Sequence, residues 1–249
     1  QTAHHHSGAG EALRCIQLRG EYLYTAAGSD GFRAYDVANI ANKGFSERVV
    51  TAPVSPLGQD THIPSENATC FALATTMPVA NWKEQRPENM ETPLHPIYRY
   101  AFITDSKEGL ILADVDTLSD GEPRNNFFER ALTWNENGVL TGAQTIQLAG
   151  HYALIGTDNK LVVLNVNNPL APQLTATLPF SKVTGIAIQF RYAFITDGKG
   201  LHVVDVTDFE TPKELELGRD RSTALPLDRF SRRQDKQTVT RLSWRSLRR

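Results

Sequence analysis

One pattern recurs four times along the 249-residue chain, and this repetition constrains the fold more than any other feature. Each copy begins with tyrosine, continues through an apolar run, a polar turn and a second apolar run, and ends with Asp-Val or Asn-Val. The copies are Tyr22–Val37, Tyr100–Val115, Tyr152–Val166 and Tyr192–Val206. Repetition at intervals of about 20–50 residues is typical of solenoids, propellers and other arrays of supersecondary units.

Each unit is predicted to form four short antiparallel strands. In the last unit, Ala193–Thr196 and Leu201–Val206 are the two apolar runs, and the Asp- and Gly-containing segment between them suits a tight hairpin. Gly185–Phe190 supplies a strand upstream, and Pro212 precedes a short fourth strand. Convincing helical periodicity is not found. The sequence therefore predicts an all-β fold, a β-propeller of four-stranded antiparallel blades.

The spacing of the repeats predicts two insertions. The opening tyrosines lie 78, 52 and 40 residues apart, whereas a propeller blade needs about 40 residues. We therefore place insertions at residues 51–94 and 125–137. Within the first insertion, Ala68–Thr75 is apolar enough to form a strand of an extra, degenerate blade. The sequence thus predicts four clear blades and, with this strand, a fifth.

The repeats resemble those of the LVIVD-repeat family of β-propellers. The resemblance rests on Gly109–Val115, Leu161–Val166 and Gly200–Val206, and on the prolines that follow, such as Pro169 and Pro212. It implies more than four blades, so we expect an incomplete propeller that is a fragment of a larger protein. It also implies an extracytoplasmic location, which is periplasmic, cell-surface or secreted. The repeat domain is expected to extend over residues 11–217.

The predicted function is a non-enzymatic extracytoplasmic scaffold that binds a protein or a small ligand through its loops. The alternative is the propeller part of an electron-transfer protein or another redox enzyme, because some LVIVD-repeat proteins carry c-type haem modules elsewhere in the chain. A covalently attached haem needs Cys-x-x-Cys-His, and Cys15 and Cys70 stand alone. The haem-bearing module or the missing blades would then contact this chain. We predict no cofactor, metal or catalytic residue within it.

The two cysteines leave two interpretations open. Cys15 and Cys70 form a disulfide if the fold brings them together in an oxidising compartment, or they remain buried free thiols.

The recurring tyrosines and acidic residues also have two interpretations each. The tyrosines could stack a ligand, but packing between blades is favoured. The strand-end residues could hold a cation, but hydrogen bonding to the local backbone is favoured. These strand-end residues are Asp36, Asp114, Asn165 and Asp205. Turn chemistry alone explains the hairpin residues Asp105, Asp158 and Asp197.

The two insertions supply the candidate partner surface. Trp82 lies in the Pro-rich first insertion, and Phe127, Phe128 and Trp134 lie in the second. Long loops in compact domains are often functional. The alternative is that both loops merely cap the scaffold.

Charge is unevenly distributed along the chain. Residues 1–217 contain 16 Lys and Arg against 25 Asp and Glu, whereas residues 218–249 contain 10 against 3. The acidic body excludes the electrostatic footprint of a nucleic-acid-binding protein. The sequence contains no run of about 20 apolar residues that would predict a membrane span. We expect the basic tail to be disordered or the product of a disrupted reading frame, and residues 1–10 to be flexible.

Overall fold

The computed structural model describes residues 12–20, 22–37, 60–74, 95–119 and 126–215. Within these ranges the chain forms four antiparallel sheets of four strands each. The predictions for residues 1–10, for the tail 218–249 and for Trp82 lie outside the described ranges, and they stay predictions.

Every sheet is a meander in which the strands pair in chain order. The first sheet contains β1 (Cys15–Arg19), β2 (Tyr22–Ala26), β3 (Phe32–Asp36) and β4 (His62–Ile63). The second contains β5 (Ala68–Leu73), β6 (Tyr100–Asp105), β7 (Gly109–Asp114) and β8 (Glu129–Trp134). The third contains β9 (Thr145–Ala149), β10 (Tyr152–Gly156), β11 (Lys160–Asn165) and β12 (Gln173–Pro179). The fourth contains β13 (Gly185–Gln189), β14 (Tyr192–Asp197), β15 (Gly200–Asp205) and β16 (Lys213–Leu215).

This arrangement confirms the predicted all-β propeller of four-stranded antiparallel blades. The described residues also contain three short 3₁₀ helices, at Pro96–Arg99, Asp116–Ser119 and Glu136–Gly138.

Parts of the two predicted insertions are strands of the blades themselves. Ala68–Leu73 is β5, the first strand of the second sheet, rather than part of an additional blade. The strand itself was predicted, but its place in the second sheet was not, because 26 residues, 74–99, separate it from β6. In the third and fourth sheets, two residues join the corresponding strands. The second predicted insertion supplies β8 in the same way.

Tight turns join the second and third strands of the sheets. Asp197 pairs with Gly200, and Asp105 pairs with Gly109, at the ends of their strands. Gly109 has φ of 93°, and a Cβ atom there would lie 2.8 Å from the carbonyl oxygen of Trp134. Glycine is required at this position, because other residues rarely adopt this φ and their Cβ atom would clash with the carbonyl oxygen of Trp134.

Carboxylates at these turns bind the turn to the start of the same sheet. Asp105 is fully buried, and its Oδ1 accepts two backbone N–H groups of the turn, at 2.8 and 2.9 Å. Its Oδ2 accepts the backbone N–H of Asn67, which precedes β5, at 2.5 Å. Asp197 repeats this pattern in the fourth sheet, with Ser181 in the place of Asn67. Asp158 differs, because it is exposed and forms a surface ion pair.

Apolar side chains on both faces of the sheets form three successive cores. The first, between the first and second sheets, contains Tyr24, Phe32, Phe71, Ile103 and Phe128. The second, between the second and third sheets, contains Phe102, Leu110, Leu112, Ile146 and Ile155. The third, between the third and fourth sheets, contains Leu154, Leu161, Val163, Ala193 and Ile195. Since alternate side chains of a strand face opposite sides, the neighbours Phe102 and Ile103 lie in different cores.

Cys15 and Cys70 form a disulfide, which resolves the two interpretations that the sequence left open. The bond joins β1 to β5, the first strands of the first and second sheets, across a Cα–Cα distance of 4.8 Å. This separation lies within the usual range for disulfides.

The first prediction concerns the buried turn carboxylate. Asp105→Ala leaves three backbone N–H groups without their acceptor, so we expect it to lower the free energy of unfolding by about 3 kcal/mol or more. Asp158→Ala, in the exposed turn of the next sheet, should change it by less than about 0.5 kcal/mol. Urea unfolding of the two variants measures the difference. Equal losses would contradict the assigned role of Asp105.

Candidate binding surface

The topology brings two kinds of connection to one end of every sheet. Because consecutive strands run in opposite directions, the turn between the first and second strands lies at the same end as the loop between the third and fourth. We call this end the loop end. In the fourth sheet it carries residues 190–191 and 206–212, and in the third sheet residues 150–151 and 166–172.

The recurring strand-end polar residues shape these loops. Asp114, Asn165 and Asp205 each accept, through Oδ1, the backbone N–H two residues further on, at 3.1, 2.9 and 2.9 Å. These bonds turn the chain away from the sheet as the third strand ends. The favoured interpretation, local backbone bonding rather than a ring of cation ligands, therefore holds for these three residues. The side chain of Asp36 is outside the described part of the structure.

The recurring tyrosines pack at the edges of the cores. Tyr22, Tyr100 and Tyr152 contact the first, second and third core respectively. Tyr192 is half-buried, and its hydroxyl oxygen accepts a hydrogen bond from the guanidinium of Arg191 at 2.5 Å.

The three predicted partner-surface residues that the structure describes have different environments. Phe127 is 44% exposed and precedes β8 at the loop end. Phe128 is buried in the first core, where its ring stacks on Phe32 at 5.8 Å. Trp134 is half-buried at the second core. Of these three side chains, Phe127 is the one whose exposure suits contact with a partner.

Phe190 is an exposed residue that the sequence interpretation missed. It occupies the turn between β13 and β14 with φ of 55° and is 89% exposed. Glycine stands at the same turn of the first and third sheets, where Gly20 and Gly150 have φ of 59° and 58°. The signal was present in the sequence, since Gly-Glu-Tyr and Gly-His-Tyr correspond to Phe-Arg-Tyr.

Further aromatic side chains lie at the loop end of the third and fourth sheets. The ring of Phe209 stacks on Tyr152 at 4.4 Å, and His151 lies 4.5 Å from the same tyrosine. The guanidinium of Arg191 lies 4.9 Å from the ring centroid of Tyr192, a cation–π geometry. We call this set the aromatic turn surface: His151, Tyr152, Phe190, Arg191, Tyr192 and Phe209.

A small pocket, lined mainly by residues with carboxamide side chains, opens at the loop end of the third sheet. Its volume is about 200 Å³, and its lining is Asn165, Asn167, Asn168, Ala171 and Gln173. Sites for small molecules usually occupy about 300–1,000 Å³. The pocket is smaller than this, and its carboxamides suit a polar side chain or a peptide group.

A polar cluster lies at the opposite end of the fourth sheet. Nε2 of His202 lies 3.0 Å from Asp197, and Nδ1 lies 2.7 Å from Glu214 of β16. The hydrogen bonds to Glu214 and then to Asp197 raise the pKa of His202. The pKa of Asp197 is well below its usual range, chiefly because the Ser181 hydroxyl donates to it.

This cluster does not have the order of a nucleophilic triad. In a triad the histidine lies between the serine and the carboxylate, whereas here Asp197 lies between Ser181 and His202. The hydroxyl therefore donates to a carboxylate that also accepts backbone N–H groups. The cluster instead holds the edge strand β16 and the turn before β15 together through His202.

The second prediction follows from the raised pKa of His202. Its contribution to stability is fully present below the pKa of an unfolded histidine, about 6.5, and is lost as the pH rises through the higher folded value. We expect His202→Gln to destabilise the protein most at mildly acidic pH and progressively less as the pH rises. Denaturant unfolding curves of the original protein and of the His202→Gln variant, recorded at several pH values below and above about 6.5, measure the difference in the free energy of unfolding.

The matched control is the same substitution in a Glu214→Gln background. There the pH dependence of the difference should be smaller, because one of the two carboxylates that favour the charged ring is gone. A loss of stability in His202→Gln that is constant with pH, or that grows as pH rises, would contradict the stabilising role assigned to His202 between Asp197 and Glu214.

Four consecutive four-stranded meanders that pack face to face define this protein as a β-propeller. The LVIVD repeat model matches residues 142–178 and 182–216. These segments coincide with the third and fourth sheets, so the chain carries LVIVD repeats there and the predicted resemblance is confirmed.

A solved structure shares this fold at low sequence identity, and a second solved structure matches with a lower TM-score. A functionally unknown protein from Desulfotomaculum acetoxidans has a TM-score of 0.55 and 13% identity, over 82% of this chain and 55% of that one. The computationally designed Ika4 protein has a TM-score of 0.49 and 11% identity, over 85% of this chain and 95% of that one. No match was found among curated proteins. In the described ranges, none of the helices has the length and apolar character to span a membrane.

Proposed function

We propose that this protein is a non-catalytic β-propeller scaffold outside the cytoplasm, which binds a protein partner through the aromatic turn surface. The observation that carries the proposal is Phe190, an almost fully exposed phenylalanine at a left-handed turn position. The other features of the loop end support the same function.

Folding alone gives no reason for phenylalanine at this turn. The left-handed conformation costs an L residue about 1–2 kcal/mol relative to the ordinary helical one, and glycine avoids most of this. The exposed ring recovers no burial energy, because it is 89% exposed. Strained residues cluster at functional sites, where binding compensates for the lost stability. Phe190 is therefore assigned to a surface that another molecule covers.

The composition of the surface favours a protein as that molecule. Aromatic residues and arginine dominate the binding energy of protein interfaces, because they combine a large contact area with polar groups. Phe190, Arg191 and Tyr192 place this combination on three consecutive residues. The pocket of about 200 Å³ at the loop end of the third sheet would accept a single polar side chain of the partner.

The repeated polar residues support a scaffold rather than a catalyst. Asp105 and Asp197 hold turns, and Asp114, Asn165 and Asp205 hold strand ends, each through backbone N–H groups. The residues that acid–base chemistry would use are thereby committed to keeping the loops in shape.

The disulfide supports the extracytoplasmic location. Cys15 and Cys70 are joined between two sheets, and such structural disulfides persist in oxidising compartments.

The third prediction separates binding from folding at Phe190. Phe190→Gly should raise the free energy of unfolding by about 1 kcal/mol, because the turn has the conformation that glycine prefers. Chemical denaturation measures this effect on folding, and photo-crosslinking from position 190 in the source cell tests the contact with the partner.

For the crosslinking, benzoylphenylalanine replaces Phe190, and in a control it replaces Lys199, which is exposed at the opposite end of the same sheet. We expect an adduct with a distinct protein from position 190 and none from position 199. Equal adducts at both positions, no adduct at 190, or an adduct only with a second copy of this chain would contradict the proposal.

The fourth prediction concerns the compartment. When source cells are quenched in acid and treated with a maleimide polymer, Cys15 and Cys70 should remain unlabelled until a reductant is added. A Cys15→Ser/Cys70→Ser double variant, unlabelled under both conditions, is the control. Labelling of both thiols without reductant would place the chain in a reducing compartment and contradict the proposed location.

A further inference from the structure

The first sheet exposes apolar side chains at positions that are covered in later sheets. Ile16 and Leu18 of β1 are 64% and 62% exposed. By strand register, Phe71 and Leu73 of β5 occupy the corresponding positions in the second sheet. They are 3% and 5% exposed, because they pack in the first core. Ile146 of β9 likewise is 5% exposed and packs in the second core. These positions form the face with which a sheet contacts the sheet before it.

The fourth sheet exposes the complementary position. Leu201 of β15 is 54% exposed. The corresponding residues of the first three sheets are Phe32, Leu110 and Leu161, and all three are fully buried in the core shared with the following sheet. Leu201 therefore lies on the face with which a sheet contacts the sheet after it.

The described sheets thus form three interfaces of one kind and leave apolar side chains exposed on each of its two halves. The contacts between first strands run from β1 to β5, from β5 to β9 and from β9 to β13. The leading face of the first sheet, at Ile16 and Leu18, and the trailing face of the fourth, at Leu201, would make a fourth interface of the same design. Exposed apolar sheet faces of this kind mark interaction sites.

We propose that a second copy of this chain covers both faces, with the leading face of each copy on the trailing face of the other. The association continues the interface that the chain already makes three times. Each copy supplies both halves in equal number, so a two-fold rotation forms two such contacts and leaves neither face free. The four described sheets of each copy then make eight, which is within the usual range of about four to eight blades.

The experiment is sedimentation equilibrium of the full 249-residue chain, with expected species of 27.7 kDa and twice that mass. Ile16→Glu and Leu201→Glu should each raise the dissociation constant of the dimer about ten-fold or more, because each places a charge in both contacts. Leu170→Glu, a control at a loop residue that is 49% exposed, should leave the dimer unchanged. Circular dichroism checks that each variant is folded.

Photo-crosslinking determines the orientation of the two copies. Benzoylphenylalanine at Ile16 should join the second copy at residues 192–205 of the fourth sheet. Adducts between residues 13–25 of both copies would show a like-to-like contact and overturn the proposal. A monomeric mass at all concentrations, an open series of polymers, or a dimer indifferent to either glutamate variant would overturn it as well.

Discussion

The structure depends on face-to-face burial between small sheets that are apolar on both sides. A strand such as β6 directs Phe102 into one core and Ile103 into the next, so its sheet is stable only between two neighbours. Burial of apolar surface between two sheets contributes about 25 cal/mol per Å² to the free energy of folding. This contribution exceeds the stability of the separate hairpins, because an isolated hairpin is only marginally stable in water. Because each sheet needs a neighbour on both faces, the sheets pack one after another in chain order. The first and fourth sheets have a described neighbour on one face only, which explains why Ile16 and Leu201 are exposed.

The apolar side chains form the cores, whereas the repeated polar residues stabilise the turns and loops that connect the strands. The carboxylates of Asp105 and Asp197 replace missing backbone acceptors at the turns, and Asp114 and Asp205 do so where the third strand ends. The loops are thereby held in fixed shapes on a rigid scaffold, where binding residues are commonly found. Phe190 is an exception among these stabilising residues, because its turn would be more stable with glycine.

The fold was largely predictable because each repeat carries its own period and turn signals. The strands of the fourth sheet match the predicted runs to within two residues. The strand β5 was also predicted, but it was assigned to an extra blade because a long segment separates it from β6. The candidate surface was less predictable. Phe128 and Phe127 are adjacent in the sequence, yet one is buried and the other exposed, which depends on the packing of another sheet. Phe190 could have been found by aligning the repeats, because glycine marks its turn elsewhere.

Native-state hydrogen exchange, at concentrations where the chain is monomeric, tests the central role of sheet-to-sheet burial most directly. The second strand of the third sheet, β10, has cores on both faces, whereas β14 of the fourth sheet has a core on one. The account predicts slower exchange for the amides of Leu154 and Ile155 than for the amides of Phe194 and Ile195. Equal protection of the two strands, or slower exchange in β14, would contradict it.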